Sequence, residues 1–380
     1  MMDGGAAFDR VLVRSRATHI PLAVSCEITH ACNVDCQHCY LDLVPDSKIG
    51  ALSTEEWKRI FRELRAAGSL FLTLTGGEVL VRKDWYELAS YARELNFAVR
   101  IFTNGTLIDE RNADRIASIH PICVEISLLG GIAATHDAIS QRRGSFDKTL
   151  AGVRRLRARN IPVLLKCVLM KSNISEMEML RAIAAEVGSH VQFDLEITPK
   201  NNGSVSPQAL RGDEQALLAA AADLERVMAA GEEGSKSSGS RRDWLDEGPC
   251  AAGRGTCHIS PTGDISPCTQ WAGRPVGSLR KSSFAELWGT NEVFAVVRTK
   301  RLRDFPVCAS CEILDACAPC MALSVLERGV IDGPSPTKCA TAELRAKAQG
   351  MKGRSAWLME QERALPPGAP DGTRRRLPLL

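Results

Sequence analysis

Residues 21–39 read PLAVSCEITHACNVDCQHC, an apolar run of strand length that breaks into three cysteines spaced by three and two residues. Working outward, the run at 21–28 is the first of six short apolar segments, the others lying near 70–75, 97–103, 121–127, 161–169 and 190–198. Amphipathic helical patterns separate them, the signature of repeated βα units and a parallel sheet covered by helices. The clearest helix opens at Ser53 with Glu56 completing a capping box, then sets Trp57, Ile60, Phe61 and Leu64 on one face before Gly68. Six units are fewer than a closed eight-stranded barrel needs. The expected fold class is therefore α/β, a partial (β/α)6 barrel whose site lies at the C-terminal strand ends.

A chain of 380 residues suggests one larger domain and a smaller one. We expect an N-terminal extension over 1–20, the partial barrel over 21–210, and a helix and flexible linker over 211–243, where EEGSKSSGSRRD is polar and rich in Gly and Ser. A small cysteine-rich domain over 244–345 and a flexible tail over 346–380 complete the division. In the cysteine-rich part, CHISPTGDISPC reads as a hairpin turning at Pro-Thr-Gly-Asp. The 48 basic and 45 acidic residues leave a formal charge of +3, too small to steer nucleic acid or an anionic membrane. No apolar run approaches a membrane span and no signal peptide precedes the first strand, so a cytoplasmic location is expected. In that compartment disulfides are rare, and the 14 cysteines point instead to metal. Cys26, Cys123 and Cys167 stand alone in apolar runs and read as buried structural thiols.

The knot Cys32, Cys36 and Cys39 could hold zinc, or three irons of a cubane whose fourth iron stays open to a ligand. CNVDCQHC resembles the signature of the radical S-adenosylmethionine (radical SAM) superfamily, CxxxCxxC with an aromatic residue before the last cysteine, here His38. The resemblance implies one SAM-binding 4Fe-4S cluster, chelation of SAM by the open iron, and its reductive cleavage to a 5'-deoxyadenosyl radical that abstracts a substrate hydrogen. It also implies that Gly76-Gly77-Glu78, after the second strand, holds the methionyl amine. Thr103, beside Asn104, becomes a SAM contact and Ser127 a ribose contact; Arg142 or Arg143 in THDAISQRRGSF is available for the SAM carboxylate. Without the resemblance, the glycines and Asn104-Gly105 would be ordinary turns.

Three further side chains are candidates on the substrate side. Lys166 lies inside the apolar strand PVLLKCVLM and must snorkel, pair structurally or meet substrate; Asp194 and Glu196 alternate with apolar residues on the sixth strand, facing either the barrel or solvent. Eight cysteines remain near the C-terminus, the number that two fully ligated 4Fe-4S clusters require. Their pattern resembles the SPASM extension of the superfamily, although Cys317 and Cys320 are separated by two residues where three are usual. The family arrangement implies one auxiliary cluster on Cys250, Cys257, Cys268 and Cys320 and another on Cys308, Cys311, Cys317 and Cys339, with a swap at Cys317 and Cys320 left open.

The resemblance implies an enzyme that oxidatively modifies a ribosomally synthesised peptide, crosslinking or dehydrogenating it, with an external one-electron reductant. About 20 residues precede the first strand, fewer than a peptide-recognition domain needs, so a separate leader-binding protein is a further expectation. The alternatives are a sulfatase-type formylglycine maturase, an enzyme acting on a small molecule such as a sugar or tetrapyrrole, and a non-catalytic iron-sulfur scaffold.

Overall fold

Burial along the first strands shows which face of the sheet the helices cover. In a computed structural model describing residues 4–231, 245–271 and 273–364, β1 (Ala23–Thr29) buries Val24, Cys26 and Ile28 almost completely. The same alternation buries Leu72 and Leu74 on β2 (Phe71–Gly76), Val99 and Ile101 on β3 (Ala98–Thr103), and Val124 and Ile126 on β4 (Cys123–Ser127). It continues at Leu165 and Cys167 on β5 (Val163–Val168). The helix Thr54–Ala66 supplies Trp57, Ile60, Phe61 and Leu64, and its Ser53 and Glu56 form the expected capping box. Neighbouring strands from β1 to β5 pair in parallel, and β6 (His190–Asp194) lies beyond β5 at the sheet edge. The α/β fold with a parallel sheet is thus as expected, but the sixth strand stops at Asp194, so Glu196 lies past its end.

The hairpin was expected in a separate domain, and the structure joins it to this sheet instead. β7 (Thr256–Ile259) pairs in parallel with β1, Ala23 facing Thr256, and β8 (Asp264–Ser266) and β9 (Gly277–Ser278) continue the sheet in antiparallel fashion. The order is β6-β5-β4-β3-β2-β1-β7-β8-β9. The physical reason is that β1 has a free edge, which a sheet must pair or cover. Gly263 closes the hairpin turn at φ +84°, a conformation that side chains rarely adopt.

Two compact units result, cut differently from the sequential boundaries expected. One holds the chain up to Cys167 with Glu176–Gln192 and Ala251–Arg298; the other holds Val168–Ser175, Phe193–Cys250 and the described chain from Thr299 onward. In the second unit the helices Glu214–Gly231 and Pro336–Ala348 pack together, with Arg345 paired to Glu225 at 2.7 Å. The N-terminal extension forms a helix, Gly4–Thr18, and the helix Ala356–Ala364 lies within the segment expected to be a flexible tail. The linker 232–243 and the final residues 365–380 lie outside the described residues. No helix among the described residues is long and apolar enough to cross a membrane.

Candidate active site

The site is built where the ends of β1 and β2 come together. Gly77 N donates to Thr29 O and Glu78 N to Ala31 O, each at 2.9 Å, so the end of β2 carries the first turn of the cysteine loop. Both glycines are required by this approach: a Cβ on Gly76 would lie 2.2 Å from Thr29 O, and one on Gly77 2.4 Å from Ala31 O. The glycines thus admit the neighbouring backbone as well as any ligand. Gly77→Ala should cost about 1–3 kcal/mol, as overpacking typically does, and a thermal melt of the purified chain checks it; an unchanged midpoint would show that the loop yields freely.

Cys32, Cys36 and Cys39 all line one cavity of about 200 Å3, together with Gly76, Gly77 and Ser127. Burial pushes Cys32 up to about 11, with Glu78 and then Cys39 adding to the shift, and Cys36 up to about 12, with Cys39 and Cys32 adding. Thiolates in this place therefore call for metal charge, and three soft sulfur donors suit iron of a cluster. No three His, Cys, Asp or Glu among the described residues are close enough to share a single ion. A cubane distributes its thiolates over separate irons, so the arrangement is compatible with a cluster.

Glu78 takes a different place from the one expected. It is fully buried and absent from the cavity lining; its Oε1 accepts from Thr103 Oγ1 at 2.7 Å and Leu80 N at 3.0 Å, and its Oε2 from Asn104 N at 2.7 Å. Desolvation pushes its pKa up against these bonds. The carboxylate ties β2 to the end of β3 and lies near enough to Cys32 to act on its thiol. Thr103 and Asn104 do line the cavity, and Asn104 Nδ2 donates to Asn33 Oδ1 at 2.8 Å. Ser127 reaches the cavity from β4, its hydroxyl making no hydrogen bond among the described residues.

His38 lines the cavity with a buried Nδ1 that has no hydrogen-bond partner, and burial lowers its pKa to about 4, leaving a neutral ring. In the HD-to-GSF stretch, Asp137 accepts from Gly144 N, Phe146 N and Ser145 Oγ, and His136 Nδ1 accepts from Leu129 N at 3.1 Å. These two residues shape the loop. Arg142 and Arg143 are exposed on it, and neither lines the cavity.

A group the sequence reading passed over sits beside the cysteines. Tyr40, also on the cavity wall, donates to the fully buried Glu27 Oε1 at 3.1 Å, and Glu27 Oε2 meets His30 Nε2 at 3.1 Å and His258 Nε2 at 3.4 Å. The alternation of Ser25 and Glu27 with buried Val24, Cys26 and Ile28 was the available signal. On the same face Lys166 lies 2.8 Å from Gln192 Oε1 and 3.7 Å from Glu125 Oε2, while Arg100 approaches Glu125 Oε1 at 3.4 Å. Lys166 therefore takes the paired alternative, yet it stays 37% exposed and open to a ligand. Cys123, at the start of β4, is only half-buried, unlike Cys26 and Cys167.

Asp194 and Glu196 belong to the second unit. Asp194 Oδ1 accepts from Glu196 N at 2.8 Å, and Glu196 pairs with Lys338 at 2.8 Å, both acids lining a cavity of about 240 Å3. Cys308, Cys311, Cys317, Cys320 and Cys339 also gather in this unit around a small cavity. Burial raises Cys339, and the thiols that add to the shift are Cys317, Cys308 and Cys311. Cys320 instead has Cys250 as its cysteine neighbour. Cys257 and Cys268 flank β8 in the first unit, Cys257 buried on β7 and Cys268 half-buried.

Known proteins match along most of this framework. The radical SAM superfamily model covers residues 26–183, and an iron-sulfur cluster-binding domain, SPASM, covers residues 250–312. The AdoMet-dependent heme synthase of Methanosarcina barkeri is 28% identical over 82% of this chain and 94% of its own. The mycofactocin maturase MftC of Mycolicibacterium smegmatis is 29% identical over 94% of this chain and 90% of its own. Among solved structures, Streptococcus suis SuiB bound to precursor peptide SuiA superposes with a TM-score of 0.66 at 18% identity, covering 86% of this chain and 78% of that one, a likeness of fold. The chain thus carries a radical SAM superfamily domain followed by an iron-sulfur cluster-binding SPASM domain.

Proposed function

We propose that this enzyme holds a 4Fe-4S cluster on Cys32, Cys36 and Cys39, binds S-adenosylmethionine in the adjoining cavity, and oxidatively crosslinks or dehydrogenates a ribosomally synthesised peptide. The observation that carries the reading is the convergence of three thiols, the Gly76-Gly77 backbone and Ser127 on one cavity. When bound, the cluster and SAM would supply a 5'-deoxyadenosyl radical for hydrogen abstraction. The residues have simpler tasks. Gly76 and Gly77 keep the wall close, the neutral His38 offers a ring face and an open Nδ1, and Ser127 and Asn104 offer polar groups to the cofactor. Glu78 holds the ends of β2 and β3 in register for them.

The grouping of Cys339 with Cys317, Cys308 and Cys311 supports one auxiliary cluster on those four thiols, and Cys250 beside Cys320 supports a second ligand pair, either of which would take electrons from an oxidised substrate. A peptide substrate draws support from the mycofactocin maturase and from the SuiB structure with its precursor peptide. An external one-electron donor and a separate leader-binding protein complete the system. A second reading, oxidation of a tetrapyrrole, is favoured by the heme synthase. Co-expression with short peptides encoded nearby separates the two: mass spectrometry should find a peptide lighter by two hydrogens. Turnover of a tetrapyrrole in the absence of any peptide would replace the first reading with the second.

A further inference from the structure

Two cations of the second unit act on its cysteines: Arg328, paired with Glu360 at 2.7 Å, acts on Cys308, and Lys338 stands among the others. Lys338, on the helix Pro336–Ala348 and next to Cys339, shares the lining of a small cavity with Cys308, Cys311, Cys317, Cys320 and Cys339. Its Nζ is held by Glu196 Oε2 at 2.8 Å, the two side chains 25% and 15% exposed. Cys317 and Cys320, the two cysteines that the proposed ligand sets divide between different clusters, are both its electrostatic neighbours. Asp194 and Arg211 face Glu196, and Glu225 and Arg345, paired with each other, line the same cavity as the pair. The thiols suit iron-sulfur ligation: burial and mutual repulsion push Cys308 up to about 12, and burial pushes Cys320 up to about 11, a donor set that metal charge would relieve.

Reduction adds negative charge to a cluster, and a nearby cation in a weakly screened interior favours the reduced form. A carboxylate beside that cation partly cancels it. We propose that Lys338 is a positioning charge for the auxiliary clusters, which raises their reduction potentials so that they accept an electron more readily, and that Glu196 both anchors and attenuates it. The inference rests on the reading of the C-terminal cysteines as cluster ligands. It gives Glu196, first considered as a substrate contact, a role in electron acceptance.

The test is an EPR-monitored redox titration of the anaerobically reconstituted full chain, without SAM or substrate. Lys338→Met keeps an unbranched side chain one atom shorter and removes its charge; the auxiliary signals should titrate at more negative potential. A tenfold change in the ratio of reduced to oxidised cluster is about 59 mV for one electron. Glu196→Gln should move them the opposite way, because the cation is then unscreened, and Lys338→Arg should stay near the wild type. Shifts of the same sign for Lys338→Met and Glu196→Gln, or no shift with clusters intact, would overturn the inference in favour of a merely structural ion pair. Should Lys338→Met lose its clusters, the comparison of Glu196→Gln with Lys338→Arg decides alone, a positive shift in the former supporting the proposal and its absence refuting it. Absence of auxiliary signals from the wild type would remove the ligand reading and the inference together.

Discussion

Replacing Cys32, Cys36 and Cys39 together by alanine should abolish the cleavage of S-adenosylmethionine and remove about four of the roughly twelve irons per chain that three proposed 4Fe-4S clusters require, four for each. The fold should survive the change. The loop that bears the thiols is fixed by backbone bonds that do not involve sulfur, from Gly77 N to Thr29 O, Glu78 N to Ala31 O, Asp35 N to Ser140 O and Gln37 N to Ile139 O. The eight C-terminal cysteines lie on other elements, so the iron proposed for them should remain. Anaerobic iron analysis and chromatography of 5'-deoxyadenosine after strong reduction measure both effects. Persistent cleavage in the triple variant would mean that the radical chemistry is not housed on these cysteines, and about four irons in the wild type would leave no place for two auxiliary clusters.

What the sequence reveals of this site divides along a physical line. Local regularities were legible: the capping box at Ser53 and Glu56, the alternation of Val24, Cys26 and Ile28, and the close spacing of the cysteines each depend on neighbours along the chain. Cys32, Cys36, Cys39, Gly76, Gly77, Thr103, Asn104 and Ser127 do meet on one cavity, because parallel βα units bring all strand ends to one side. Placement across distant segments was not legible. Nothing near Glu78 predicts that Thr103 and Asn104 consume its oxygens, and nothing near Glu196 predicts Lys338, 142 positions later. The pairing of β7 with β1 was hidden for the same reason, since the hairpin turn at Gly263 is local and the edge it joins is not. Arg142 and Arg143 show the opposite failure: the motif is intact in sequence, yet both side chains are exposed outside the cavity lining.

Glu27 is where that long-range placement has the largest consequence for stability. Burial would push this carboxyl up, but His258 and His30 outweigh it and hold it down at about 2, against an ordinary 4.5. A depressed carboxyl stabilises the fold above its unfolded pKa and loses that contribution as the pH falls through the folded value. The window is therefore from about 4.5 down to about 2, and the depression corresponds to about 3 kcal/mol at roughly 1.4 kcal/mol per pH unit. Glu27→Leu leaves the Tyr40 hydroxyl without its acceptor and the fully buried His258 ring without the carboxylate 3.4 Å from its Nε2, and removing one partner of a buried pair costs about 3–5 kcal/mol. Because Tyr40 follows Cys39 and lines the cavity, the same variant should loosen the cysteine loop and lose iron during purification. Glu27→Gln keeps the shape and an acceptor for Tyr40 while discarding the charge. Urea titrations of the metal-free chain should show it less stable than the wild type near pH 6, with the gap closing as the pH approaches 2. A gap that stays constant across that range would mean that the carboxylate charge contributes nothing, and that packing alone makes Glu27 the support of the loop.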